Sequence, residues 1–184
     1  MLRPAHIGHL ALLRALIREG ARDGSLQPEL ARDCEASERF FGELRQALKS
    51  GYFVVEDPRT GAMQTVAVPG YVYWADEAVG SEPPVGFGLF RAAPGGSYEL
   101  WITGLDHTLR GKGHGRAMLK ALFDTPSGRA TRFMRVRREG SDASAIAKLL
   151  DEHGFTATRE SKHETWFVRA TPGADSSRDA GSRH

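Results

Sequence analysis

The sequence predicts an α/β (α+β) fold, with strands and covering helices, and three observations carry that expectation. Residues 98–123 pass without a break from an apolar strand pattern, through a glycine-rich turn, into an apolar pattern of helical spacing. Two helical stretches fill most of residues 4–48, ahead of any strand. Short strand patterns punctuated by glycine and proline then occupy residues 52–90 and recur after residue 132. A chain of 184 residues suits one well-buried core, so one domain over residues 1–170 is expected. Residues 171–184 are small and polar and read as a disordered tail.

In chain order, residues 4–23 read as a helix with Ile7, Leu10, Leu13 and Ile17 on one stripe, widened by Leu12 and Leu16. His6 and His9 lie one turn apart, but no third ligand is near in sequence, so surface histidines are expected rather than a metal site. Pro28 suits a first helical position and opens a second helix carrying Leu30, Cys34, Phe41, Leu44 and Leu48 on one face, ended by Gly51. Residues 52–55 and 63–68 form a hairpin around a turn at residues 57–61, and strands follow at 71–74 and 85–90. After the central segment, residues 133–136 make a strand, and Ser141 or Asp142 can cap a helix carrying Ala145, Ile146, Leu149 and Leu150. Gly154 ends that helix, and residues 165–168 give an antiparallel partner to the strand that begins at Phe155.

Composition excludes several classes. No apolar run approaches the ~20 residues that span a bilayer, and the N-terminus lacks the apolar core of a signal peptide, so a cytoplasmic protein with no membrane partner is expected. The single cysteine, Cys34, rules out an internal disulfide and cannot build a zinc site alone; its apolar helix face suggests a buried structural thiol. A net charge of +2 is too small to indicate a nucleic-acid partner. Between His107 and Arg138, however, nine Lys and Arg residues face one acid, Asp124. That block is either an electropositive rim around the glycine turn or a solvated basic face.

The glycine turn is the chemical signal. Tyr98, Leu100, Trp101, Ile102 and Leu105 describe a mostly buried strand, and Met118, Leu119, Leu122 and Phe123 the helix that follows. Gly111, Gly113 and Gly115 sit between them, at a helix N-terminus whose orphan N–H groups and dipole favour phosphate oxygens. The spacing fits neither G-x-x-x-x-G-K-[ST] nor G-x-G-x-x-G, because Gly113 follows Lys112 and the glycines run G-x-G-x-G. What remains is Arg110-Gly111-Lys112-Gly113-His114-Gly115, an R-x-x-G-x-G segment, with an ordinary glycine turn as the plain alternative.

This segment resembles the acetyl-CoA-binding motif of the GNAT superfamily of N-acetyltransferases. The resemblance implies a central, mixed, mostly antiparallel twisted sheet flanked by helices, to which the 52–68 hairpin is an N-terminal-side addition: either a wall of the acceptor site or an edge extension of the sheet. It implies acetyl-CoA as cosubstrate, no metal, and coenzyme contacts from Leu105, Arg110, Gly111, Lys112, Gly113, His114, Gly115 and Arg116. The N-terminal helical pair would roof the acceptor pocket, with residues 23–27 as its lip. The acceptor is then an amine of a small molecule or protein, and the oligomeric state is open, a dimer included.

Acetyl transfer to an amine needs a base, a polarised carbonyl and a proton for the departing thiolate. Glu99, six residues before Leu105, resembles in position the catalytic glutamate of the family's histone-acetylating branch; the other reading is a salt-bridge partner for one of the arginines. Strand alternation puts Glu99, Trp101, Thr103 and Leu105 on one face unless a bulge intervenes. Backbone N–H groups near Leu105 suit the second role. For the third, Leu150 stands where many members place an acidic tyrosine, and His153, Tyr98 or water are the substitutes. The leading expectation is an acetyl-CoA-dependent N-acetyltransferase working by direct transfer. The alternatives are a catalytically weak acyl-CoA-binding or regulatory module, and a toxin-like acetyltransferase of aminoacyl-tRNA.

Overall fold

The structure, a computed structural model, describes residues 1–56, 60–75, 83–140 and 143–170. The polar tail, the tip of the hairpin turn and the Ser141 or Asp142 cap lie outside the described residues. The chain opens with β1 (Leu2–Pro4) and a 3₁₀ turn at Ile7–His9, so the first helix, α1 (Leu10–Arg22), starts later than its stripe suggests. Residues 2–4 are drawn into an edge pairing with β4 (Gly70–Tyr73), and His6 caps the turn by accepting from the Gly8 N–H. The second helical stretch is also split. Pro28–Ala31 forms a 3₁₀ turn, and α2 (Glu35–Ser50) begins after Cys34, which is an N-cap of intermediate burial rather than a core thiol.

β2 (Tyr52–Glu56) and β3 (Met63–Ala67) form the hairpin as a separate two-stranded sheet, which removes the edge-extension reading. The remaining strands are β5 (Gly86–Ala93), β6 (Ser97–Leu105), β7 (Thr131–Arg137), β8 (Phe155–Glu160) and β9 (Glu164–Arg169). Together with β1 and β4 they make a seven-stranded sheet in the order β1-β4-β5-β6-β7-β9-β8. Every pairing is antiparallel except β6 with β7. That parallel pair needs a crossover, which α3 (His114–Asp124) and the short α4 (Pro126–Arg129) supply. α5 (Ala143–Glu152) then leads into β8.

The sheet separates two cores. Leu13, Ile17 and Leu44 of α1 and α2 pack with Phe87, Leu89 and Ile102 on one face. Leu122 and Leu150 of α3 and α5 pack with Phe90, Leu100, Met134 and Phe155 on the other. Gly88 lets α3 press against β5, since a Cβ there would stand 2.6 Å from the Leu122 methyls. No described helix is long and apolar enough to cross a membrane.

Candidate active site

β6 and β7 separate as they run. Their pairing ends at Leu100 with Met134, although β6 continues to Leu105 and β7 to Arg137. The β7-facing edge of β6 beyond Leu100 therefore has no strand partner. A cavity of about 400 Å³ lies beside this free end of β6, and no residue of β7 lines it. Thr103, Gly104 and Leu105 form its strand wall, Met118 and Leu119 of α3 and Ile146 and Leu149 of α5 form an apolar side, and Leu16, Gly20 and Leu26 close it from the α1 end.

The glycine loop sits at one end of the cavity. Gly111, Gly113, Gly115, Arg110 and Arg116 line it, whereas Lys112 and His114 belong to the loop without lining it. Gly113 is the N-cap of α3 with φ +86°, a conformation that only glycine adopts without strain. The first ladder bond of α3 runs from Ala117 N–H to the Gly113 carbonyl at 3.1 Å, which leaves the N–H groups of His114, Gly115 and Arg116 outside the ladder. Three donors and the positive end of a helix dipole thus meet at an opening lined by glycine. Such an arrangement favours a negatively charged group.

Two arginines clamp the α1 end over the opening. Arg110 Nη1 donates to Asp23 Oδ2 at 2.6 Å, its Nη2 lies 3.4 Å from Glu19, and its Nε lies 3.4 Å from the Leu105 carbonyl. Arg137 Nε donates to the Gly24 carbonyl at 3.3 Å. The turn at residues 23–25 therefore bridges the end of β6 to the end of β7. Burial of the Asp23 carboxyl opposes its ionisation, but hydrogen bonds from Ser25 and Arg110 outweigh it and hold the group below the usual carboxylate value. Arg110 accordingly spends its guanidinium on α1. The other cations of the basic block are also largely paired: Arg116 with Glu152, Arg137 with Glu139, Arg138 with Glu160, and Lys120 with Asp124. These pairings, two local and two with acids 22 and 36 residues away, make the block far less of a free cationic face than its composition suggests.

Glu99 is 8% exposed, and both its oxygens are engaged, by Arg91 at 2.5 Å and Arg135 at 2.8 Å. It does not line the cavity. The bulge that the alternation rule allows for is present, because Leu89 pairs with Ile102 and Phe90 with Leu100, leaving Trp101 extra. Trp101 stacks with Phe40 and Phe53, and Ile102 also joins the core under α1 and α2, while Leu105 belongs to the opposite core. Glu99 and Leu105 are therefore on different faces. His153 is not brought to the cavity; its ring packs 4.9 Å from Phe123, and burial, then Arg169, lower its pKa below the usual imidazole value. Tyr98 packs against the α3 and α5 core, and Leu150 is fully buried in it. Sequence reasoning missed Asp23, Gly24 and Arg137 as a clamp, and Arg91 as a partner of Glu99; none belongs to a motif.

No protein-family model and no curated protein sequence matches the chain. Solved structures do. The PaiA N-acetyltransferase of Thermoplasma acidophilum in complex with coenzyme A superposes with a TM-score of 0.56 at 14% identity, covering 93% of this chain and 98% of that one. A ribosomal-protein-alanine N-acetyltransferase of Brucella melitensis gives 0.59 at 18%, covering 93% and 99%. A GNAT superfamily phosphinothricin acetyltransferase of Sinorhizobium meliloti in complex with acetyl-CoA gives 0.57 at 19%, covering 92% and 86%. The likeness is one of fold: the chain has the GNAT N-acetyltransferase fold that the R-x-x-G-x-G segment implies. Among the described residues no group of three or more His, Cys, Asp or Glu is placed to hold a metal.

Proposed function

We propose that the protein is an acetyl-CoA-dependent N-acetyltransferase that passes the acetyl group directly to an amine. The observation that carries this reading is the cavity at the free end of β6, walled by α3 and α5, with the N–H groups of α3 that lie outside its ladder at its mouth. Acetyl-CoA supplies a thioester: the amine nitrogen bonds to its carbonyl carbon as the C–S bond breaks, and a proton passes from nitrogen to the departing sulfur. In this reading the N–H groups of His114, Gly115 and Arg116 hold the phosphate oxygens, with Lys112 adding exposed positive charge. Leu119, Ile146 and Leu149 exclude water along the pantetheine arm. The unpaired edge of β6 offers main-chain N–H groups to the thioester carbonyl. Water takes the amine proton and solvent protonates the sulfur, since Glu99, His153 and Leu150 do not line the cavity and both Glu99 oxygens are held by Arg91 and Arg135.

The test is to mix purified protein with acetyl-CoA and a panel of amines and record free thiol. Thiol release dependent on an amine supports the reading. Coenzyme A binding without release from any amine favours the acyl-CoA-binding module, a reading motivated by Leu150 standing where many members of the family place an acid tyrosine. The aminoacyl-tRNA reading loses its support, because the basic block that suggested it is largely paired within the chain.

A further inference from the structure

On the α1 and α2 face of the sheet, two guanidiniums share one buried carboxylate. Arg91 Nη2 and Arg135 Nε reach opposite oxygens of Glu99. Each arginine also lies over an indole, Arg91 5.6 Å from the Trp101 ring centroid and Arg135 5.2 Å from that of Trp166. Stacking and the shared carboxylate fix both forks in place before any ligand arrives. The charges do not balance, since two cations meet one anion, whereas Arg116, Arg137 and Arg138 each have an acid of their own. Both side chains remain about one-third exposed, at 35% and 30%. Arg91 Nε and Nη1 and Arg135 Nη1 and Nη2 have no protein partner among the described residues. The cluster therefore presents a surplus unit of positive charge and a set of aimed, unused donors.

Its position connects it to the cavity. Arg135 and Arg137 share a face of β7, about 7 Å apart at two residues, and Arg137 holds the Gly24 carbonyl of the turn that closes the opening. On β6, Trp101 stands between Glu99 and the cavity-lining Thr103. The cluster thus lies on the α1 and α2 face without lining the cavity itself, Arg135 two residues along β7 from the arginine that holds this turn and Glu99 four residues along β6 from Thr103.

We propose that Arg91 and Arg135 bind a carboxylate of the acceptor, so that the acceptor class is an amine carrying a carboxylate in the same molecule, an amino acid. The proposal rests on the acetyltransferase reading. One more carboxylate brings the Arg91–Glu99–Arg135 cluster to neutrality and accepts charge-assisted bonds from donors that are already oriented. Glu99 acts here as a positioning residue for both forks.

The experiment is calorimetry on the full chain saturated with coenzyme A, titrated with N-acetyl amino acids and with their primary amides, which differ only in the carboxylate. The acids bind at least about tenfold more tightly than the amides, and the preference shrinks with added salt. Arg135→Gln brings acid and amide within about twofold, and Arg135→Lys, which keeps the charge but not the fork, restores part of the difference. Melting scans and retained coenzyme A binding confirm that both variants are folded; if Arg135→Gln is not, Arg91→Gln makes the same test. Equal affinity of acid and amide for the wild type, or an undiminished preference in the folded variants, overturns the proposal. Thiol release from free amines is read separately and decides only the acetyl-transfer reading, so the two can fail independently.

Discussion

Gly113→Ala separates the cost of backbone strain from the loss of an anion site when it is measured beside Gly51→Ala. Both glycines are left-handed, at φ +86° and +81°, and at both a Cβ meets nothing within 4 Å. Gly113 opens α3 at the cavity, whereas Gly51 ends α2 and does not line it. An L-residue in this conformation costs about 1–2 kcal/mol. An unfolding entropy of about 2.1 cal/mol/K per residue gives about 0.4 kcal/mol/K for 184 residues, so each variant loses about 3–5 °C in Tm. Coenzyme A at 100 times its Kd adds about 2.7 kcal/mol to the native state, a rise of about 7 °C. Gly51→Ala keeps that rise. Gly113→Ala places a methyl group among the N–H donors, and a tenfold weaker complex at the same ligand concentration keeps only about 1.4 kcal/mol, or about 3–4 °C. Paired thermal scans with and without coenzyme A read both numbers. A Gly113→Ala protein that loses the same stability as Gly51→Ala yet keeps the whole ligand-induced rise would refute the assignment of the phosphate site.

Three further outcomes are expected. The Asp23 carboxyl is held below its usual value of 3.8, so its contribution to stability is full above about pH 4 and is lost as pH falls through the lower folded value; Asp23→Asn costs about 1 kcal/mol at neutral pH and flattens that acid limb in urea midpoints measured against pH. Leu150→Tyr overfills a site of 0% exposure, costing about 1–3 kcal/mol with no gain in turnover, and a faster enzyme of unchanged Tm would show that the phenol reaches the cleft. Glu99→Gln leaves two guanidiniums around a neutral amide, and a lower Tm is expected whatever its catalytic role. As a base, its loss also lowers turnover per folded molecule about 10²-fold with partial rescue at high pH, whereas matching pH profiles in the two proteins remove it from the mechanism.

The strand, glycine turn and helix were legible because each depends on near neighbours: apolar alternation, three glycines, then helical periodicity. The break at residues 2–9 was not, because Leu2–Pro4 is taken into the sheet by β4, a strand 68 residues further on. The site divides in the same way. The α3 N-terminus is local and could be read from Gly113 and Gly115. The clamp joins Asp23 to Arg110 and Gly24 to Arg137, pairs 87 and 113 residues apart, and a basic block counted along the chain gives no hint of which acids neutralise it.

The most consequential feature without a sequence signal is the extra residue at Trp101. Strict alternation from Glu99 carries Trp101, Thr103 and Leu105 to one face. With the bulge, Trp101 and Ile102 both turn toward α1 and α2, so the parity resets, and Leu105 joins the α3 and α5 side. One strand then serves two faces: Glu99, with its arginines, stands on the α1 and α2 face, and Leu105 lies beside Gly115 on the α3 face. Without the bulge, Glu99 and Leu105 would share a face. A bulge is set by how β5 pairs with β6, where Phe90 skips to Leu100, and no residue type within β6 demands it. The glycine loop at the α3 N-terminus is thus written in a motif, while the placement of Glu99, Arg91 and Arg135 depends on a register between two strands, and no motif announces it.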